Sequence, residues 1–247
     1  MRIATLKYAT ISALGAISAI VLTSCGTAPV AATRRLPAYE APIAKSEFQN
    51  VRTTAYTHTE SDHLQYTDHN ALGGRLQAAS RGVQSADYAA RALPVGDRIE
   101  PDYRGTSSRS LESYLAPKKK KVTKYVKTKH GRKKVVVTEY VRPTVGSAAS
   151  DWSRWPAGTY FRILSTGQIY KVDDYGWALS GRNTIDLYMA TRGDMNTWGV
   201  RHEPIQVLKW GDRQESLALL TPRQSYKHIR RMVLELQGQD AEAAALE

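Results

Sequence analysis

The sequence predicts a mainly β fold: a small barrel carrying a basic β-hairpin insertion and a C-terminal helix. Three observations predict it. From Val145 onward, short runs of β-branched and aromatic residues recur with Gly, Ser, Asn or Pro between them, the spacing of a small barrel. Ahead of them, two alternating runs flank His130-Gly131, which suits a hairpin turn. Behind them, Tyr226, Ile229, Met232, Val233 and Leu236 recur at helical spacing.

At 247 residues and 42% hydrophobic the chain can bury a domain-sized core, while its long polar stretches need not all be folded. At the amino terminus, Arg2 and Lys7 precede an uncharged apolar run from Tyr8 to Leu22, too short for a comfortable membrane span and shaped like a secretory signal. Leu22-Thr23-Ser24-Cys25 resembles the lipobox of bacterial lipoproteins, in which the cysteine is lipidated and becomes the new amino terminus. Cys25 is the only cysteine, so an exported chain forms no internal disulfide, and a thiol carrying lipid serves no catalysis. Each acyl chain contributes roughly 0.8 kcal/mol per buried methylene, and two or three make a stable anchor. Residues 1–25 thus read as signal and lipobox, and 26–50, rich in Ala, Pro and Thr, as a flexible tether. A cell-envelope location follows, facing the periplasm from the outer membrane if the cell is Gram-negative, because no aspartate follows Cys25.

The barrel domain is expected over 51–212. Val51 to Thr57 is β-branched and aromatic enough to be its first strand. Residues 62–117 hold no period and read as an irregular insertion of loops and short helix. Residues 118–142 form the hairpin, and Lys118 to Lys134 includes ten cations without an acid, so most of the formal net charge of +12 is local. Further strands are expected at Thr159–Leu164, Gln168–Asp174, Thr184–Met189 and Pro204–Trp210, with a short helix over "RGDMNTWG". In 213–247, Thr221-Pro222 supplies an N-cap and a first-turn proline for the helix, whose apolar stripe is expected to pack on the barrel.

Strand parity then sorts the acids. Tyr170, Val172 and Asp174 share a face, so Asp174 is expected inward if its two neighbours are, with Asp173 opposite. Asp186 and Tyr188 share the face opposite Ile185, Leu187 and Met189, an acid–tyrosine pair suited to saccharide. Asp151, before "WSRWPAGT", reads by position alone as a turn or cap residue.

"ASDWSRWPAGTYFRI", "VDDYGWALSGRNTIDLY" and "WGVR", with "VRTTAYT" upstream, resemble the three-aspartate domain, which also occurs in the membrane-bound lytic transglycosylase A family. Asp151, Asp174 and Asp186 match its three aspartates in order. The resemblance implies a six-stranded double-psi β-barrel that cleaves or binds peptidoglycan, with Asp186 as the catalytic acid. Asp174 and Asp151 then complete the catalytic set, and Tyr56, Tyr175, Trp177, Gly181 and Tyr188 contact the glycan. This chain has Gly176-Trp177 where the family commonly has Gly-Gly.

Hydrolytic glycosidases use two carboxylates about 5–5.5 or 6.5–9.5 Å apart. A lytic transglycosylase needs one, because the muramic acid C6 hydroxyl is the nucleophile. One carboxyl protonates the departing oxygen and then deprotonates that hydroxyl. Such an acid at 186 must begin protonated, above the reference pKa of about 3.9. The alternative is a peptidoglycan-binding barrel without turnover, in which the aspartates and aromatics only hold the sugar.

Other chemistry is poorly served. No glycine loop cradles phosphate and no serine sits in a nucleophile elbow. "HTESDHLQYTDH" matches neither a zinc-peptidase helix nor a finger, so no metal or other cofactor is assigned. The hairpin's counterions are expected to be anionic wall polymers or lipid headgroups; export argues against nucleic acid.

Overall fold

The computed structural model describes residues 35–61, 63–80, 109–129 and 131–246. In chain order its elements are β1 (Phe48–Tyr56), α1 (Leu111–Leu115), β2 (Lys118–Thr128), β3 (Gly131–Val141), β4 (Gly146–Ser150), β5 (Tyr160–Ile163), β6 (Ile169–Asp174) and β7 (Thr184–Tyr188). They continue with α2 (Arg192–Trp198), β8 (Arg201–Lys209), α3 (Arg213–Leu220), α4 (Lys227–Leu236) and α5 (Asp240–Ala245). Six strands close a barrel in the order β1-β7-β4-β6-β5-β8, while β2 and β3 form a separate two-stranded ribbon. The barrel is mixed, with β1 parallel to β7, β4 parallel to β6, and the other pairs antiparallel. Closure removes the free edges that a six-stranded open sheet would expose.

The interior is filled by alternate residues of each strand, among them Val51, Tyr170, Val172, Ile185, Leu187 and Ile205. Each such side chain contributes roughly 1.5–3 kcal/mol on leaving water. The apolar stripe of α4 covers one side: Ile229, Met232 and Val233 are buried in the same core, as expected from their spacing. The helix begins later than Thr221-Pro222 implies. Thr221 closes α3, where its hydroxyl donates to the Leu217 carbonyl at 2.7 Å, and Thr221–Arg223 makes a separate short turn. α3 itself is capped by Asp212, which accepts from the amides of Gln214 and Glu215.

β4 has no β-branched residue and is buried along its whole length. Ala149 on its outer side joins Tyr56 and Tyr188 in a small cluster, and its inner side is tightly packed. Ala148 packs inside, and a Cβ at Gly146 would lie 2.5 Å from the Tyr170 ring and 2.9 Å from the Ala79 methyl. Only small residues fit between these layers.

Two segments are more ordered than their composition suggests. The tether expected over 26–50 is docked from Leu36 onward, and its portion before residue 35 lies outside the described residues. Glu40 is the clasp. Its carboxylate accepts from Arg52 at 2.9 Å, Arg182 at 3.3 Å and the Asn183 amide at 2.7 Å, and its own amide donates to the Gly181 carbonyl at 2.8 Å. The start of the 62–117 insertion is likewise a strap pinned to β4: the Ser147 amide donates to the Gln77 carbonyl at 2.8 Å, and the Gln77 amide to Ser147 Oγ at 3.1 Å. Residues 81–108 of the insertion, and the signal and Cys25, lie outside the described residues. Among the described residues no helix is long and apolar enough to cross a membrane.

Candidate functional site

The barrel register sets four residues in a row across its outer surface. Thr54 of β1 stands opposite Asp186 of β7, Asp186 opposite Ala149 of β4, and Ala149 opposite Asp174 of β6. Two strand spacings, about 10 Å along the sheet, separate the two aspartate backbones.

Simple alternation along β6 does not produce this row. Tyr170 and Val172 point inward as expected, which would send Asp174 into the core. Instead the β4–β6 register slips between Ala148 and Ala149, so that Val172 pairs with Ala148 but Asp174 pairs with Ala149. The bulge takes up Asp173 as the extra residue and re-aims Asp174 outward, the usual consequence of such an insertion. Both aspartates then meet the strap. Asp173 accepts from Asn70 and from Ser147 Oγ, each at 2.9 Å. Asp174 accepts from Tyr56 Oη at 3.0 Å, the Ala71 amide at 3.1 Å and the Tyr175 amide at 3.0 Å, with His63 Nε2 3.5 Å away.

Asp186 is more open. It is half-buried, and its Oδ1 accepts from Thr54 Oγ1 at 2.6 Å. Around it lies a small aromatic cluster of Tyr56, Leu76, Ala149, Leu179 and Tyr188, separate from the barrel core. Tyr56 and Tyr188 meet edge to face at 5.6 Å, His63 stacks on Tyr56 at 5.2 Å, and Tyr188 Oη lies 2.7 Å from His58 Nδ1. His58 and His63 of "HTESDHLQYTDH" thus pack on this face, while His69 is exposed beside Asp68. Among the described residues no three His, Cys, Asp or Glu side chains gather as metal ligands.

Burial pushes the Asp173 carboxyl up to about 6, and the neighbouring Asp174 charge adds to the shift. The Tyr56 hydroxyl is raised well above its ordinary value, first by burial and then by Asp174, Asp186 and Asp173, so it remains a donor.

No family model matches this chain, and no curated protein does either. The resemblance to three-aspartate domains therefore rests on the ordered motifs alone.

The structure does not bring Asp151 and Gly181 to this face. Asp151 has no exposed surface, and its carboxylate is enclosed by the Ser153 amide at 2.8 Å, Ser153 Oγ at 2.5 Å and the Gly181 amide at 2.6 Å. Ser153 Oγ also lies 2.7 Å from Glu235 Oε2. One hydroxyl hydrogen cannot serve both carboxylates at once, and burial raises both groups, with the Arg154 guanidinium opposing the shift. Asp151, expected in the catalytic set, and Gly181, expected at the glycan, lie instead in a buried joint between the end of β4 and the loop before β7, where Asp151 caps the turn that follows it. A cavity of about 220 Å³ touches Ser153, Arg154 and Glu235 and includes no residue of the row.

Tyr175 packs edge-on against Trp152 at 4.9 Å, with Arg223 Nη1 donating to its hydroxyl at 3.2 Å. Trp177, half-buried, opens the short turn Trp177–Leu179 that carries Leu179 into the aromatic cluster. Thr54, Asp173 and Asn70 escape a sequence reading. Parity gives the outward set of β1 as Arg52, Thr54 and Tyr56, but only the register identifies Thr54 as the partner of Asp186.

Proposed function

We propose that the chain is an envelope lipoprotein, anchored through Cys25, that cleaves peptidoglycan glycan strands as a lytic transglycosylase, with Asp186 as general acid and then general base. The observation that supports this most is the row itself: one half-buried carboxyl, oriented by Thr54, beside tyrosines, with a second carboxylate two strands away. Asp186 donates its proton to the departing glycosidic oxygen. The C1–O bond breaks, and the C6 hydroxyl of the same muramic acid closes on C1 while its proton returns to Asp186. No water is consumed, and one carboxyl suffices. General acid–base assistance of this kind is worth 10²–10⁴-fold.

Asp174 has a different part. With both oxygens taken by donors it fixes the strap and Tyr56 rather than reacting. Trp177, half-buried, supplies an apolar face to the sugar, while the buried Tyr188 supports the surface beneath it.

The strap favours a second reading, because it packs over Asp174 and leaves Asp186 as the more open acid of the row: a barrel that holds glycan without cleaving it. The test is Asp186→Asn in the lipid-free chain acting on purified sacculi. Loss of anhydromuropeptides by at least a hundredfold, with the fold retained, supports catalysis. Undiminished release rules Asp186 out, and sacculus binding without any anhydro ends from the unaltered chain leaves the binding module.

A further inference from the structure

The ribbon of β2 and β3 has no role in the barrel and an unusual surface. Eleven residues per strand give it a length of about 36 Å. Its strands carry nine Lys or Arg side chains and one acid, Glu139, a net charge of +8. Glu139 is already paired with Lys124 at 2.5 Å.

The apolar residues are sorted by face. The register sets Val122 opposite Val137, Lys124 opposite Val135 and Lys118 opposite Val141. With side chains alternating, Val122, Val126, Val135, Val137 and Val141 stand on one face, and Tyr125, Val136 and Tyr140 on the other. Val126 is 48% exposed and Val141 42%. Two-stranded ribbons with neither face covered are marginal in water, so a partner that covers the valines stabilises this one.

Charge decides what that partner is. A second copy would bring +8 against +8, and the lysines along both strands discourage edge pairing for the same reason. A soluble polyanion would neutralise the cations but leave five valines in water. An anionic bilayer surface satisfies both: the apolar face sinks into the headgroup boundary while Lys118, Lys120 and Lys133, on that same face, extend to the phosphates. We propose that the ribbon lies flat on an anionic phospholipid surface with its valine face down. This holds whether or not the barrel cleaves glycan.

Residues 34–247 form a compact unit with its own core and contain no cysteine, so a single introduced cysteine can carry an environment-sensitive dye. The experiment places the dye at Val126→Cys on the valine face or Thr123→Cys on the opposite face. Each protein is titrated with phosphatidylcholine vesicles with and without phosphatidylglycerol. The expected result is a fluorescence rise at position 126 only, with phosphatidylglycerol only, weakening as salt increases. In a second arm, Val122, Val126, Val135 and Val137 are changed to Thr, which keeps strand propensity. Vesicle affinity should fall at least tenfold while binding to soluble polyphosphate stays unchanged. Equal vesicle affinity for the threonine variant, an equal response at position 123, or no vesicle binding by the unaltered unit each overturns the proposal, the first in favour of a soluble polyanion.

Discussion

Thr54 Oγ1 donates a 2.6 Å hydrogen bond to Asp186 Oδ1, across the parallel pairing of β1 and β7 that sets the two residues opposite each other. The bond fixes which way the carboxyl faces. Asp186 belongs to a barrel whose backbone cannot shift one residue without moving the core side chains of both strands to the wrong face.

Removing that hydroxyl tests the positioning. Thr54→Val keeps the shape and deletes the donor, so unfolding free energy should fall by about 1 kcal/mol and glycan cleavage by roughly tenfold. Thr54→Ser should restore both. Urea melts and product release measured on the same preparations check this, and a Val variant as active as the original would show that the orientation is set elsewhere.

Asp173 makes a prediction with a definite sign. Its folded pKa of about 6 lies above the ordinary carboxyl value of 3.8, so the folded state holds the proton more tightly than the unfolded chain. Its contribution is complete below the unfolded value and is lost as pH rises through about 6. Asp173→Asn should flatten the fall in stability between these limits by an amount on the order of 1–3 kcal/mol. Taking the difference between the two proteins cancels the opposite slope of His228, whose pKa burial pushes down to about 4. Chemical denaturation across pH 4–7 gives the answer, and parallel slopes would contradict it.

Much of the fold was legible. β5 to β8 carry β-branched and aromatic residues on inward positions, and α4 presents its stripe at 3.6 spacing, because a buried face imposes its period on the sequence. β4 was not legible, since a strand walled by Tyr170 and Ala79 must be built of Gly, Ser and Ala, which carry no strand signal. The acids were half legible. Asp186 follows from parity with Ile185 and Leu187. The outward turn of Asp174 could not be read, because a bulge breaks the alternation on which the reading depends. The depth of Asp151 was not legible: a short motif gives order along the chain but not distance beneath the surface, and this carboxylate is enclosed by Ser153 and Gly181.

Gly181 separates the buried joint from the site. Its φ of +74° is strained for other residues, and a Cβ there would lie 2.9 Å from the Arg231 guanidinium and 3.1 Å from the Tyr39 ring. Gly181→Ala should cost about 1–3 kcal/mol of stability. Activity per folded molecule should persist, because the glycine touches Asp151 and not Asp186. Thermal melts paired with turnover normalised to folded protein distinguish the two effects. A large loss of turnover at unchanged stability would return Gly181 to the glycan site.

The central claim is that the glycosidic bond is broken by internal attack with no water entering the product. The lipid-free chain, incubated with purified glycan strands in heavy-oxygen water, should release muropeptides that end in the anhydro ring, one water lighter than hydrolytic products and free of label. Products carrying heavy oxygen at the reducing end would contradict the account, because they would require a hydrolytic water that Asp186 alone is not arranged to activate.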